Sequence, residues 1–354
     1  MSAVDPLERL GGVPGVLGSI LEGRDLSVDD AEIIMDRVFD GQADPIQVAG
    51  LLIALRAKGE TADELTGMVR SMLSHATAVE LAHPAMDIVG TGGDGLHSVN
   101  VSTMAALVVA GAGVPVCKHG NRAASSMVGT ADVLEKLGVR IDLSPSQVAA
   151  AVEAAGIGFC FAQAFHPAMR FVGPVRAALG VRTAFNLLGP LANPSRPRRL
   201  LVGTADGATA EKMATVLGAN GVERAWIVHS HDGFDELSLS AASDVVEVTG
   251  DGMGDFDLRH WVLDPRSAGF ESAEIDAVRG GDASFNAAVV RDLLSGARGP
   301  VRDFVLLNAA AALVIAEAVD SIEAGAELAA TSIDSGDAAS CLDRLIESTT
   351  SGLR

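Results

Sequence analysis

Apolar positions recur every three or four residues through the first 83 residues, and each recurrence opens on a capping signal. Ser27 with Asp30 precedes Ile33, Ile34, Val38 and Phe39; Asp44-Pro45 precedes Ile46 to Leu55; Thr61 with Glu64 precedes Leu65 to Leu73. A side-chain oxygen at each start satisfies amides that a helix leaves without partners, so helices are predicted there, with Gly41 and Gly59 closing two of them. No cluster suited to chemistry occurs in this stretch, which reads as a packing and association unit. Ala49, Leu52, Ile53 and Leu55 exceed what one buried face needs and point to a partner helix.

Beyond His83 the period changes. Short apolar runs at Asp87 to Val89, Gly113 to Cys117, Gly158 to Ala162, Leu200 to Gly203 and Ala225 to His229 alternate with helical stretches such as the one from Ser144-Pro145 to Gly156. Alternation of this kind predicts βαβ units. The expected fold is therefore α/β, a small all-helical domain plus a larger domain with a mostly parallel central sheet flanked by helices. Past Thr249 the pattern is weaker; the Ala-rich run from Val301 to Ala318 is a helix, and Ser321 to Ser340 reads as polar helix and turn.

Two of the strand ends carry chemistry. Asp87-Ile88-Val89 breaks into Gly90-Thr91-Gly92-Gly93-Asp94, and Asn100, Ser102 and Thr103 then stand before an apolar helix, where unpaired amides and hydroxyls suit an anion. The second strand opens into Lys118-His119-Gly120-Asn121-Arg122, then Ser125-Ser126 and Gly129-Thr130. Ligands of open α/β sheets lie outside the carboxyl ends of the strands, so both turns face one crevice and a phosphorylated ligand is expected. Neither turn is a P-loop, and neither has the dinucleotide spacing. Asp235-Glu236, after the last of these strands, reads from composition alone as a solvated acidic loop; it could also hold one or two ions.

Composition narrows the field. The length of 354 residues suits two domains or one large one, and 48% hydrophobic residues allow a sizeable core. A net charge of −20 repels nucleic acid and anionic membranes, so no partner of either kind is expected, and any phosphate site must be a local basic exception. The first residues lack a basic stretch followed by an apolar one, so no secretory signal is expected, and no apolar tract reaches membrane-spanning length. Cys117, Cys160 and Cys341 lack metal-binding spacing and suit reduced packing residues in a cytoplasmic protein, and no histidine has the company that zinc needs.

GTGGD at Gly90 to Asp94, NVST at Asn100 to Thr103, KHGNR at Lys118 to Arg122 and GTAD at Gly129 to Asp132 closely resemble the anthranilate phosphoribosyltransferase family. The likeness continues through FHPAMR at Phe165 to Arg170, PVRAALGVRTAFNLLGPLANP at Pro174 to Pro194 and DGFDELSL at Asp232 to Leu239, in the family's order and over nearly the whole chain. The resemblance implies the nucleoside phosphorylase/phosphoribosyltransferase-like fold and transfer of the phosphoribosyl group of 5-phosphoribosyl diphosphate to the amino group of anthranilate in tryptophan biosynthesis. It implies that Gly90, Gly93, Asp94, Ser98, Asn100, Val101, Ser102, Thr103, Lys118, Ser125, Ser126 and Thr130 line phosphoribosyl diphosphate. Gly90, His119, Asn121 and Arg176 would take anthranilate, while Ser102, Asp235 and Glu236 would hold Mg²⁺, which prefers oxygen ligands. No general base is implied, because an aryl amine already carries a free lone pair. The resemblance also implies a homodimer and a discontinuous helical domain, residues 1–83 with 164–190, beside an α/β domain of residues 84–163 with 191–354.

One departure stands out: Met127-Val128 occupies a place where the family often has serine, which removes a possible hydroxyl near the phosphates. Three other functions compete. A pyrimidine nucleoside phosphorylase shares the fold, but Asn121 replaces a glycine favoured there and the acidic pair better suits a magnesium diphosphate. A catalytically silent relative that binds nucleic acid is opposed by the charge. Phosphoribosyl transfer to another aryl amine stays open.

Overall fold

The computed structural model describes residues 5–123 and 128–351. Helices α1 (Gly12–Leu21), α2 (Val28–Phe39), α3 (Pro45–Lys58) and α4 (Ala62–Ser74) come first. Ser27 Oγ accepts from Asp30 N at the start of α2, and reciprocal capping boxes at Asp44/Gln47 and Thr61/Glu64 open α3 and α4. Then follow β1 (Met86–Gly90), α5 (Val101–Gly111), β2 (Val116–Gly120), α6 (Thr130–Leu137), α7 (Pro145–Ala155), β3 (Ile157–Phe161), α8 (Ala162–Phe165), α9 (Gly173–Leu179), α10 (Phe185–Leu191) and β4 (Arg199–Gly203). The chain closes with α11 (Ala210–Ala219), β5 (Arg224–Ser230), β6 (Ser243–Gly250), β7 (Phe256–Leu263), α12 (Ala283–Leu294), α13 (Pro300–Ile315), α14 (Ile322–Asp334) and α15 (Asp337–Thr350).

The strands form one sheet in the order β3-β2-β1-β4-β5-β6-β7. The first five are parallel, and β6 and β7 run antiparallel. Side chains alternate between two cores, as a pleated strand requires: Leu201, Trp226 and Val228 join α5 and α13, whereas Leu200, Val202, Ala225 and Ile227 join α11 and the N-terminal helices. With both faces covered, the parallel strands are mostly apolar, and the polar residues they bury, among them Asp87 on β1 and Lys118 and His119 on β2, are the exceptions. The chain runs outward from β1 through β2 to β3, then crosses to β4 on the other side of β1, and this reversal opens a crevice at the carboxyl ends of β1 and β4.

Three sequence expectations shift. The second strand begins at Val116, not Gly113, so Lys118 and His119 lie inside it and are buried instead of standing in the turn that follows. A lysine in a sheet interior breaks the polarity pattern, which is why the run appeared to end early. Helix α5 starts at Val101, placing Ser102 and Thr103 in its first turn. The hairpin β6-β7 was not foreseen, because β7 alternates exposed and half-buried residues at the sheet edge and mixes charge with apolar side chains.

The segment from His166 to Leu191 returns to the N-terminal helices. Phe185 meets the Phe39 ring edge-on at 6.1 Å, Thr77 N donates to Phe165 O at 2.8 Å, and Val172, Val175 and Leu188 share the core of α2 and α3.

Candidate active site

At the end of β1 the chain turns through Thr91 to Gly95, with Gly92, Gly93 and Gly95 all at positive φ. Glycine is required there because side chains rarely adopt that conformation. The turn is tied to the end of β4 and to the loop after β5: Thr91 N donates to Gly203 O at 2.9 Å, and Gly92 N donates to Asp235 Oδ2 at 2.6 Å. A Cβ on Gly90 would strike the Asp235 carboxylate, and one on Gly203 would strike the Asp235 carbonyl oxygen. The glycines at these paired positions let the Asp235 turn close over the switch point.

Asp235 and Glu236 are both buried, so the solvated-loop reading fails. They sit in a turn that aims both carboxylates into the crevice. Burial, with Asp94 beside it, pushes the Asp235 carboxyl up to about 6. Burial and then Asp235 hold Glu236 well above the usual carboxylate range, although Ser102 N donates to it from the first turn of α5. That helix start has no side-chain cap: Asn100 Oδ1 accepts instead from Asn286 Nδ2 at 2.8 Å, and its Nδ2 donates to Val128 O at 3.4 Å.

Lys118 faces this acidic group from β2. Its Nζ donates to Ile88 O and, at 3.2 Å, to Ser102 Oγ. Burial lowers its pKa, and the carboxylates of Asp87, Glu236 and Asp235 act against that shift. Asp87, wholly buried and pushed up to about 6 by burial, accepts from His119 N and from Asn193 Nδ2 at 2.8 Å. Thr103 and Thr130 meet through their hydroxyls at 3.4 Å, which brings the starts of α5 and α6 together.

Gly90, Gly93, Asp94, Ser102, Thr103, Lys118, Thr130, Asp235 and Glu236 therefore surround one crevice. Val101 offers only its backbone, since its side chain is buried in the core, and Ser98 pairs in an isolated bridge with Arg279. Ser125, Ser126 and Met127 lie outside the described residues. Arg122, the last residue of the KHGNR run, is turned away to Glu135 and Asp132.

A second group lies on the side of α10. His119 Nδ1 faces Gly189 O at 3.1 Å, its Nε2 is buried without a hydrogen-bond partner, and its ring is 5.1 Å from that of His166. Burial pushes His119 down to about 3 and His166 down to about 4, so both are neutral. The guanidinium of Arg176 lies 5.4 Å from the Phe185 ring centre, and burial lowers its pKa. Phe185 and Gly189 are four residues apart on α10, about 6 Å along its axis, so that helix links Arg176 to His119. Asn121, exposed beyond β2, accepts from Arg122 N at 2.8 Å and Gln163 Nε2 at 3.4 Å.

Between the helices and the sheet a cavity of about 320 Å³ is lined by Arg56, Gly93, Asp94, Arg182, Thr183 and Thr204. Arg182 was not singled out from sequence, nor were Asn193, Asn286 and Asn308, whose partners lie far away along the chain. Among the described residues, no three His, Cys, Asp or Glu side chains converge as a complete metal cage.

The glycosyl transferase family, a/b domain, matches residues 82–339, and the glycosyl transferase family, helical bundle domain, matches residues 14–76. An anthranilate phosphoribosyltransferase of Thermomicrobium roseum is 54% identical over 335 residues, covering 94% of this chain and 96% of its own. The chain belongs to the anthranilate phosphoribosyltransferase family. Among solved structures, the anthranilate phosphoribosyltransferase of Thermus thermophilus superposes with a TM-score of 0.88 at 42% identity, covering 94% of this chain and 98% of its own. The anthranilate phosphoribosyltransferase of Saccharomyces cerevisiae in complex with PRPP and Mg superposes with a TM-score of 0.86 at 28% identity, covering 96% and 98%. Membership of the anthranilate phosphoribosyltransferase family accounts for the helical bundle beside a mostly parallel sheet.

Proposed function

We infer that the crevice binds 5-phosphoribosyl diphosphate and anthranilate and joins the ribose C1 to the aryl amine, releasing diphosphate. The observation that carries this reading is the meeting of the Gly90 to Asp94 turn, the α5 start, Lys118 and the Asp235-Glu236 pair at the β1/β4 switch point.

The donor set fits Mg²⁺. Two buried carboxylates, Asp235 raised by burial and Asp94, and Glu236 raised by burial and Asp235, face the ammonium of Lys118. A hard divalent cation would restore both to their ionised form, and Mg²⁺ characteristically takes one or two carboxylates together with substrate phosphates. Asp235 and Glu236 would hold it, with Ser102 next to them. Once bound, it neutralises charge that develops on the departing diphosphate.

The remaining work falls to the chain. The amides of the glycine turn and the hydroxyls of Ser102, Thr103 and Thr130 orient the phosphates. Lys118 supplies a fixed positive charge behind the α5 start. Neutral His119 and Asn121 border the acceptor, and Arg176, with no carboxylate within ion-pairing distance among the described residues, grips the anthranilate carboxylate. Holding the amine behind C1 supplies the rest by proximity, with no proton acceptor needed before attack.

Residues 1–83 with 164–190 form the helical domain in this reading, and its exposed Leu21, Ile46 and Ile53 form the contact of a homodimer. No helix among the described residues is long and apolar enough to cross a membrane, which suits work in the cytoplasm on small-molecule substrates. The test is the loss of anthranilate fluorescence with purified protein, phosphoribosyl diphosphate and Mg²⁺, beside an Asp235→Asn, Glu236→Gln double variant. Decay in the wild type alone supports the reading. Absence of decay in both defeats it, and thymidine phosphorolysis and other aryl amines are then the next substrates to try.

A further inference from the structure

The acidic turn is held from below by a helix that takes no part in the chemistry. Helix α13 is buried, and from Phe304 to Ile315 all of its residues are apolar except Asn308. Asn308 is completely inaccessible to solvent. Its Oδ1 accepts from Leu237 N at 3.1 Å, while its Nδ2 donates to Leu237 O at 2.9 Å and to Phe304 O at 2.9 Å. Both amide donors and the acceptor are thereby used, and two of the three bonds go to the residue that follows Glu236. One turn earlier on the same face, the Phe304 ring packs against Phe234, the residue before Asp235, with centroids 5.5 Å apart. The two carboxylates thus lie between two anchors, Phe234 on Phe304 and Leu237 on Asn308. The same helix packs on α5, whose first turn carries Ser102 and Thr103.

We propose that Asn308, with Phe304, is a positioning residue that holds the Asp235-Glu236 turn at the spacing needed to receive a divalent cation together with a diphosphate. The inference rests on the function read above but concerns residues outside the substrate crevice. An amide in an otherwise apolar helix is costly to bury unless every polar atom is paired, and here the pairing is spent on the backbone of the acidic turn. Outer residues that orient metal ligands typically change metal affinity 10- to 100-fold when removed.

The test uses the full chain and Mn²⁺, a paramagnetic stand-in for Mg²⁺, with binding followed by electron paramagnetic resonance in the presence of phosphoribosyl diphosphate. Asn308→Leu keeps the branched shape and the number of side-chain heavy atoms and removes the clamp; Phe304→Leu loosens the other anchor without burying a polar group. Ser332→Ala removes a buried hydrogen bond to Val108 O on the far end of α5 and serves as the stability control. Both anchor variants are expected to weaken Mn²⁺ binding by about tenfold or more and to raise the KM for phosphoribosyl diphosphate, with the anthranilate KM within about twofold. Amide exchange at Leu237 should accelerate in Asn308→Leu while the parallel strands stay protected. Unchanged Mn²⁺ affinity in both anchor variants, or an equal loss in Ser332→Ala, overturns the proposal. A wild type that takes up no Mn²⁺ with phosphoribosyl diphosphate overturns the reading of the site itself, and the proposal with it.

Discussion

Arg176 lays its guanidinium over the face of Phe185, and among the described residues no ion pair engages its donors. Its replacement by alanine is expected to raise the anthranilate KM by about tenfold or more, since a lost charged contact costs about 1.5–3 kcal/mol, while the KM for phosphoribosyl diphosphate changes little. Steady-state kinetics with each substrate varied in turn checks this. His166 makes a different kind of prediction. Its folded pKa of about 4 lies below the ordinary 6.5, so its contribution is fully present above pH 6.5 and is lost as pH falls towards 4, where only the unfolded chain takes up the proton. Asp87 and Asp235, raised to about 6, act with the opposite sign, gaining stability as pH falls through that value. The prediction therefore concerns a difference: between pH 6.5 and 4.5, Tm should fall less steeply in His166→Gln than in the wild type, by an amount corresponding to about 2 kcal/mol. Parallel melting curves across that range decide it, and coincident slopes would remove the histidine from the acid response.

The elements differ in how much of them the sequence disclosed. Helices α2, α3, α4 and α7 announced themselves because their caps are local: Ser27, Asp44, Thr61 and Ser144 bond amides two or three residues away. The glycine turn after β1 was legible for the same reason. Strand β2 was misplaced because Lys118 is stabilised in the interior by Ile88 O, Ser102 and the acidic group, all distant in sequence. Asn308 was passed over inside an apolar run, since its significance comes from Leu237, 71 residues earlier. Close approach between elements gives a test at this scale. Gly203→Ala would drive a Cβ into the Asp235 carbonyl oxygen, which cannot withdraw without moving the acidic turn. A loss of about 1–3 kcal/mol in urea unfolding is expected, together with a raised KM for phosphoribosyl diphosphate. A fully stable and active Gly203→Ala protein would mean that the turn is not packed against β4.

The whole molecule is a sheet with one face on α5 and α13 to α15 and the other on α11 and the helical bundle, with a cavity bordered by Gly93, Asp94 and Arg182 where bundle and sheet meet. Ile46 and Ile53 leave α3 exposed, at 82% and 40% of their surface, and Leu21 of α1 is exposed at 71%. An Ile46→Glu, Ile53→Glu pair is expected to convert a dimer to a monomer in light scattering, with kcat within about threefold, because neither residue borders the crevice. A wild type that is already monomeric would remove that association. The antiparallel turn of the sheet has a consequence for exchange among relatives. Residues 231–242 connect β5 to β6 as a hairpin loop whose stems are paired in register from Arg224/Thr249 to Ser230/Ser243. Both ends of the loop return to the same strand pair, so this stretch can be transplanted between homologous scaffolds as a cassette. The graft needs four seats in the recipient: glycines where Gly90 and Gly203 stand, an aromatic ring where Phe304 stands and an amide where Asn308 stands.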